Sequence, residues 1–226
     1  MIDQTDEVTA KPPELRLVVF DVGGVLVRIA PWAEAHEACG YPLAQLPSLD
    51  DFLPRLSVCN RAYDRGEIEC REYEARVADA SGGKYLPEEV RRIHSAVCAA
   101  EFPGLHPLFD ALEAAGLETG ILSNTNLMHW RRLAGDEDDS REYPLLRRAT
   151  HRHASYLLKC SKPDPLIYET FARTVRALPA EILFFDDLER NVQAARAAGW
   201  QADTVDPHSP TAPQLFALLR ARGLLP

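Results

Sequence analysis

No stretch of this sequence is apolar for long enough to span a bilayer, which argues against a membrane-crossing helix. A secretory leader is not expected either: Met1-Ile2-Asp3-Gln4-Thr5-Asp6-Glu7 is polar and acidic, the opposite of a basic start followed by an apolar run. Basic charge is in short supply, with 25 Lys and Arg against 34 Asp and Glu and a net charge of −9. Binding nucleic acid through its phosphates needs a basic face, so that partner class is excluded. Cysteine is sparse as well. Cys39, Cys59, Cys70, Cys98 and Cys160 are odd in number and lack C-x-x-C spacing. That excludes a disulfide framework or a zinc site of ordinary spacing and predicts a reducing, cytoplasmic setting. There is no internal repeat and no low-complexity segment. The expectation is a soluble protein with no membrane or nucleic-acid partner, acting as a monomer or dimer on a small molecule.

What the 226 residues do contain is 46% hydrophobic content, enough for one core and a smaller accessory unit. Residues 1–14, ending Lys11-Pro12-Pro13-Glu14, read as a flexible tail. Strand one follows at about 15–20. From Pro31 to about Pro103 the pattern turns helical without strand alternation, as in Tyr73-Ala75-Val77-Ala80 and Val90-Ile93-Val97. Gly40, Pro42, Pro54, Gly66 and Ser81-Gly82-Gly83 break it into several helices. A helical cap over residues 30–103 is therefore predicted, inserted into a core formed by 15–29 and 104–226. After it, strands alternate with helices. One helix is expected from His106-Pro107 to Gly116, another opening at Asp164-Pro165, and a third with Leu188, Val192 and Ala195 on one face. This alternation predicts an α/β fold: a three-layer, Rossmann-like, mainly parallel sheet carrying an inserted α-helical cap. The acidic run Asp136-Glu137-Asp138-Asp139 reads as a solvated loop.

The chemistry-bearing residues sit at predicted strand ends, where open α/β sheets collect their ligands. Asp21 follows Leu17-Val18-Val19-Phe20 and precedes the turn-forming pair Gly23-Gly24. Thr119-Gly120-Ile121-Leu122 runs into Ser123-Asn124-Thr125-Asn126, and Lys162-Pro163-Asp164-Pro165 opens a helix. Ile182-Leu183-Phe184-Phe185 delivers Asp186-Asp187, with Asn191 one turn into the next helix. Each element has a plainer reading. Ser123 and Asn126 also suit a helix start, Lys162 a surface, and Asp186-Asp187 a turn. Together, and in this order, they are the groups that phosphoryl transfer through an aspartyl intermediate requires.

The four clusters resemble the four motifs of the haloacid dehalogenase superfamily. The stretches Phe20-Asp21-Val22-Gly23-Gly24-Val25, Leu122-Ser123-Asn124-Thr125-Asn126 with His129, Glu142-Tyr143-Pro144 and Phe184-Phe185-Asp186-Asp187 are similar to its bacterial α-glucose-1-phosphate phosphatase branch. Asp64-Arg65-Gly66-Glu67-Ile68 is similar too, and the likeness spans roughly residues 15 to 205. Two departures stand out. Gly23 occupies the place where most phosphatases of the superfamily carry a second Asp, which serves as acid and base, although the glucose-1-phosphate branch shares this glycine. Lys159 stands three residues before the motif lysine, where the family often has Gly.

The resemblance and the residue types together assign roles. Asp21 is the expected nucleophile, and Mg²⁺ the expected cofactor, because a cation must offset the repulsion between a carboxylate and a phosphate. Asp21, the Gly23 carbonyl and Asp186 are the expected ligands, with Asp187 beside them. Lys162, the Ser123 hydroxyl and the Asn124 N–H would hold the phosphate oxygens. His129 is a candidate acid or base, with a role in loop structure as the alternative. Tyr63 and Arg65, in the cap, are candidates for substrate contact. His151 and His153 read as surface residues and Cys160 as a packing cysteine, a lowered thiol pKa beside Lys159 and Lys162 being the alternative. The expected activity is hydrolysis of small phosphate monoesters, sugar phosphates such as hexose 1-phosphates among them. A metal-free haloacid dehalogenase and a phosphate-binding regulatory protein without turnover are the competing classes.

Overall fold

Leu17–Phe20 (β1) is buried along its whole length. Its side chains alternate between two hydrophobic clusters, Val18 and Phe20 entering one and Leu17 and Val19 the other. A strand buried on both faces needs a layer on each side, which is why the run is continuously apolar and β-branched. In the computed structural model, which describes residues 14–41, 49–134 and 142–226, β1 lies at the centre of a five-stranded sheet. The others are Glu118–Ser123 (β4), His151–Ala154 (β5), Ile182–Asp186 (β6) and Gln201–Thr204 (β7). The order is β5-β4-β1-β6-β7 and every pairing is parallel. Helices Leu105–Ala114 (α5), Leu127–Ala134 (α6), Pro144–Arg148 (α7) and Thr211–Ala221 (α11) supply residues to the first cluster. Pro165–Val175 (α9) and Glu189–Ala197 (α10) supply the second. The result is the expected three-layer α/β arrangement.

Between β1 and α5 the chain builds a third cluster of its own from Trp32–Ala38 (α1), Leu49–Asp64 (α2), Cys70–Ala80 (α3) and Pro87–Ala96 (α4). Two details differ from the sequence expectation. Val27–Ile29 (β2), just ahead of the stretch read as helical, pairs antiparallel with Cys98–Glu101 (β3), so a strand stands near the end of that stretch where only helices were expected. The alternation there covers only three and four residues, too little to register against the neighbouring helical periods. On α3, Ala75 faces outward and Glu74 takes the buried place. That burial is sustained by a paired contact with Arg91 at 2.7 and 2.8 Å.

Other local readings hold or shift by small amounts. Asp164 caps α9 by accepting the Leu166 N–H at 3.0 Å. Val192 and Ala195 are buried, but Leu188 is the N-cap of α10 and is 38% exposed. His151 and His153 are half-buried on β5 rather than free on the surface. His151 Nε2 lies 2.8 Å from Glu118 Oε2 on the adjacent strand, and His153 packs edge-on to Phe171. The partner of His151 is 33 residues away, out of reach of a local reading. Cys160 is buried in the second cluster, and burial pushes its thiol pKa up, as a packing cysteine requires. The reading of the tail lies outside the described residues except for Glu14, and that of Asp136–Asp139 lies wholly outside them.

Candidate active site

Three strand ends meet at one point. Asp21 follows β1, Ser123 ends β4 and Asp186 ends β6, and β1 is flanked by β4 and β6. From β1 the chain runs to β4 and β5 on one side of the sheet and then crosses over to β6 and β7 on the other. That makes a crevice at the carboxyl ends of the strands.

Lys162 ties the site together. Its Nζ lies 2.9 Å from Asp21 Oδ1 and 2.6 Å from Asp186 Oδ2, with the side chain fully buried. The Asn124 side chain holds the lysine's backbone from both sides, donating to Lys162 O and accepting from Lys162 N at 2.8 Å each. Asp186 is oriented further by the Leu188 N–H and the Asn191 Nδ2, both 2.9 Å from Oδ1. Asp21 Oδ1 also accepts the Val22 N–H at 2.7 Å. Ser123 is buried at the end of β4 and lines the cavity next to Asp21.

Asp187 completes an acidic trio: one carboxylate oxygen from each of Asp21, Asp186 and Asp187 lies within 4.8 Å of the others. Three carboxylates around a single ammonium leave excess negative charge in a water-poor place. Burial pushes the Asp21 pKa up to about 7; Lys162 pulls it down, and Asp186 and Asp187 push it further up. Asp187 is raised as well, by burial first and then by Asp186. Hard oxygen donors, crowded and short of positive charge, fit a divalent cation such as Mg²⁺. Gly24 makes this crowding possible. It adopts φ 74°, and a Cβ there would stand 2.7 Å from Asp187 Oδ2. Gly23 presents no side chain to the site, and Ile29 of β2 takes the adjacent space, 3.0 Å from where a Cβ would be.

A cavity of about 350 Å³ opens from Asp21 toward α1, α2 and α4. Its walls include Leu56, Asn60 and Asp64, which recur every four residues along α2 and so share one face. Asp64 bridges the two parts of the molecule. Its Oδ1 accepts from Asn126 Nδ2 at 3.0 Å, and its backbone carbonyl accepts from the Ser155 hydroxyl. Burial raises its pKa to about 6.

The remaining sequence candidates fall in different places. His129 lines the cavity, stacked on His94 at 4.0 Å, with Nε2 2.8 Å from the His94 carbonyl. A carbonyl only accepts, so Nε2 carries a proton; burial lowers the ring's pKa to about 4, which favours the neutral form near pH 7. Asn126, not Ser123, starts α6, its Oδ1 accepting the His129 N–H at 3.1 Å. Tyr63 is buried among the cap helices, stacked on Tyr73 with its hydroxyl against Cys70 Sγ, and is not among the cavity walls. Arg65 is also off the cavity, its Nε donating to Ser161 Oγ at 3.0 Å. Sequence reasoning named none of Asn60, Trp32 and His94, and it picked out the Asp64–Ile68 stretch without giving Asp64 itself a role. The Leu56-x-x-x-Asn60-x-x-x-Asp64 spacing was the available signal for two of them.

Comparison with known proteins agrees with this arrangement. A family model for haloacid dehalogenase-like hydrolases matches residues 15–199. A phosphatase of Mycobacterium tuberculosis is 27% identical over 201 residues, covering 84% of this chain and 86% of the relative. D-ribitol-5-phosphate phosphatase of Bacteroides thetaiotaomicron is 24% identical over 196 residues, covering 83% and 90%. A haloacid dehalogenase family enzyme of Bacteroides thetaiotaomicron, solved with magnesium and inorganic phosphate, superposes with a TM-score of 0.72 at 19% identity, covering 86% and 96%. With Asp21, Ser123 and Asp186 at three strand ends, Lys162 brought to them from the turn before α9, and a family match along most of its length, the chain belongs to the haloacid dehalogenase-like hydrolases.

Proposed function

We propose that this hydrolase is a Mg²⁺-dependent phosphatase of small phosphate monoesters, with sugar phosphates such as hexose 1-phosphates as its substrates. The observation that carries this reading is the buried contact of one lysine with both Asp21 and Asp186, beside Asp187 and Ser123. The relatives named as phosphatases, one of them acting on a sugar-alcohol phosphate, support it.

In this reading Asp21 attacks phosphorus as the bond to the leaving oxygen breaks. Water then hydrolyses the acyl-phosphate, releasing phosphate and restoring the carboxylate. Lys162, the Ser123 hydroxyl and the Asn124 N–H bind the phosphoryl oxygens where charge builds. Asp21, the Gly23 carbonyl and Asp186 would hold Mg²⁺, with Asp187 beside them, and the ion would offset the repulsion between the carboxylates and the phosphate. A haloacid dehalogenase needs no such cation, and three clustered carboxylates are hard to rationalise without one. The five free cysteines fit the reducing cytoplasm.

The leaving group's proton is the open step. Gly23 supplies none, and His129 is neutral with its only N–H committed to a carbonyl. Esters whose leaving group departs without a proton are therefore favoured, and an anomeric hydroxyl is more acidic than a primary one. With Mg²⁺ present, glucose 1-phosphate should be cleaved faster than glucose 6-phosphate, and rates across aryl phosphates should rise with leaving-group acidity. Placing an acid by Gly23→Asp, with Ile29→Val to make room, should flatten that dependence. Positioned acids contribute on the order of 10²–10⁴-fold. Equal rates on the two glucose phosphates with no slope in the aryl series would refute the reading.

A further inference from the structure

The cavity above Asp21 has a charge pattern that the catalytic reading leaves unused. Among the described residues that line it there is no lysine or arginine. The nearby arginines are engaged elsewhere: Arg28 pairs with Glu34 at 2.9 Å, Arg132 with Glu142, and Arg65 contacts Ser161 and Glu67. Lys162 is wholly buried between Asp21 and Asp186 and is not part of the walls. The two wall histidines are neutral, since burial lowers the pKa of both His94 and His129.

Against this background Asp64 is the one acidic side chain contributed by the α2 wall. One of its oxygens accepts from Asn126, and the side chain has no cationic partner among the described residues. Its neighbours are arranged as a chain of hydrogen bonds with fixed directions. Tyr73 donates to Asn60 Oδ1 at 2.9 Å, which leaves the Asn60 amide hydrogens for the cavity. His94 Nδ1 is 3.0 Å from the Tyr73 hydroxyl, and its Nε2 accepts from Asn126 Nδ2 at 3.1 Å. A free carboxylate oxygen and a free amide stand four residues apart on one helix face, beside the apolar Leu56 and Trp32. Hydroxyls satisfy such a surface from both sides, as donors to Asp64 and acceptors from Asn60. A carboxylate or a second phosphate finds no cation there and meets a like charge.

Building on the phosphatase reading, we propose that this chamber selects phosphate esters whose leaving group is an uncharged polyol and rejects those bearing a carboxylate or a second phosphate, with Asp64 setting the preference. Asp64 acts on the leaving group and takes no part in the attack on phosphorus. Its pKa of about 6 makes it a carboxylate at pH 8, where the test belongs.

The test compares glucose 1-phosphate with glucuronic acid 1-phosphate, which differ only in a CH₂OH against a carboxylate, and uses p-nitrophenyl phosphate to report on the core chemistry. All are assayed at pH 8 with Mg²⁺. Wild type should favour the glucose ester in kcat/KM by at least about tenfold, since opposed like charges cost several kcal/mol. In Asp64→Asn the glucose-to-glucuronate ratio should fall toward one, chiefly through KM. Asn60→Lys, which brings a cation beside Asp64, should move the ratio the same way. Both esters are read in one preparation, so the ratio does not depend on how much of a variant folds. A wild-type ratio near one, or a ratio that neither substitution changes, would overturn the proposal. Cleavage of p-nitrophenyl phosphate without cleavage of either sugar ester would overturn it too while leaving the phosphatase reading in place. Failure on all three esters would remove the phosphatase reading and this one with it.

Discussion

Gly24 shows how closely a single residue is tied to the chemistry here. Its φ of 74° suits glycine, and a methyl group at that position would collide with Asp187. Gly24→Ala should therefore displace Asp187 and weaken Mg²⁺ binding by roughly 10-fold or more, the range for losing a group that supports a metal site. Calorimetric titration with Mg²⁺ checks this; unchanged affinity would mean Asp187 does not serve the ion. His129 makes a second prediction at this scale. Its folded pKa of about 4 lies below the unfolded value of 6.5, so its neutral burial contributes stability that is complete above 6.5 and lost as pH falls toward 4. Nitrogen NMR of the ring at pH 6 should show a neutral imidazole protonated on Nε2. An imidazolium signal there would reopen His129 as an acid.

The contacts that join helices α1–α4 to the sheet centre on the turn after α2. Asp64 is held by Asn126 and Ser155, Arg65 by Ser161, and the Gly66 carbonyl by Lys159 Nζ at 2.9 Å. Lys159 itself is left-handed, with φ 55°, which explains why a glycine suits that place and what the lysine adds in exchange. Gly66 also needs its positive φ of 62°, and a Cβ there would stand 2.9 Å from the Tyr156 carbonyl. Gly66→Ala should push the turn off α8 (Ser155–Leu158), raising KM and speeding amide hydrogen exchange at residues 64–69 while leaving the sheet protected. Unaltered exchange in the turn would show that these contacts do not govern how the cap seats.

At the scale of the whole molecule, the parallel sheet and the three strand-end clusters at Asp21, Ser123 and Asp186 were legible because each rests on local pattern, an apolar run ending in a polar residue, whereas Lys162 comes from the turn between α8 and α9 rather than from a strand end. The helices of residues 32–96 were legible only in part from their breakers: Gly40, Gly66 and Ser81-Gly82-Gly83 fall between helices, Pro54 lies inside α2 instead of ending a helix, and Pro42 is outside the described residues. What stayed hidden depends on distance along the chain. Asp64 meets Asn126 across 62 residues, His94 stacks on His129 across 35, and β2 pairs with β3 from either end of the insert. Tyr63 looked like a contact residue because it neighbours Asp64. A helix turns about 100° per residue, so adjacent positions face different ways, Asp64 into the chamber and Tyr63 into the cap's own core. No helix among the described residues is long and apolar enough to cross a membrane.

The central claim is that Asp21 carries the phosphoryl group, and quenching a single turnover tests it most directly. Wild type mixed with Mg²⁺ and radiolabelled p-nitrophenyl phosphate, stopped in acid and digested, should yield a transient label on the peptide containing Asp21. Chelation of the metal should abolish the label, and Asp21→Asn should show neither label nor turnover above roughly 1% of wild type, as removal of a nucleophile entails. Hydrolysis that proceeds at full rate with no label on the protein, or that survives in Asp21→Asn, would contradict the account.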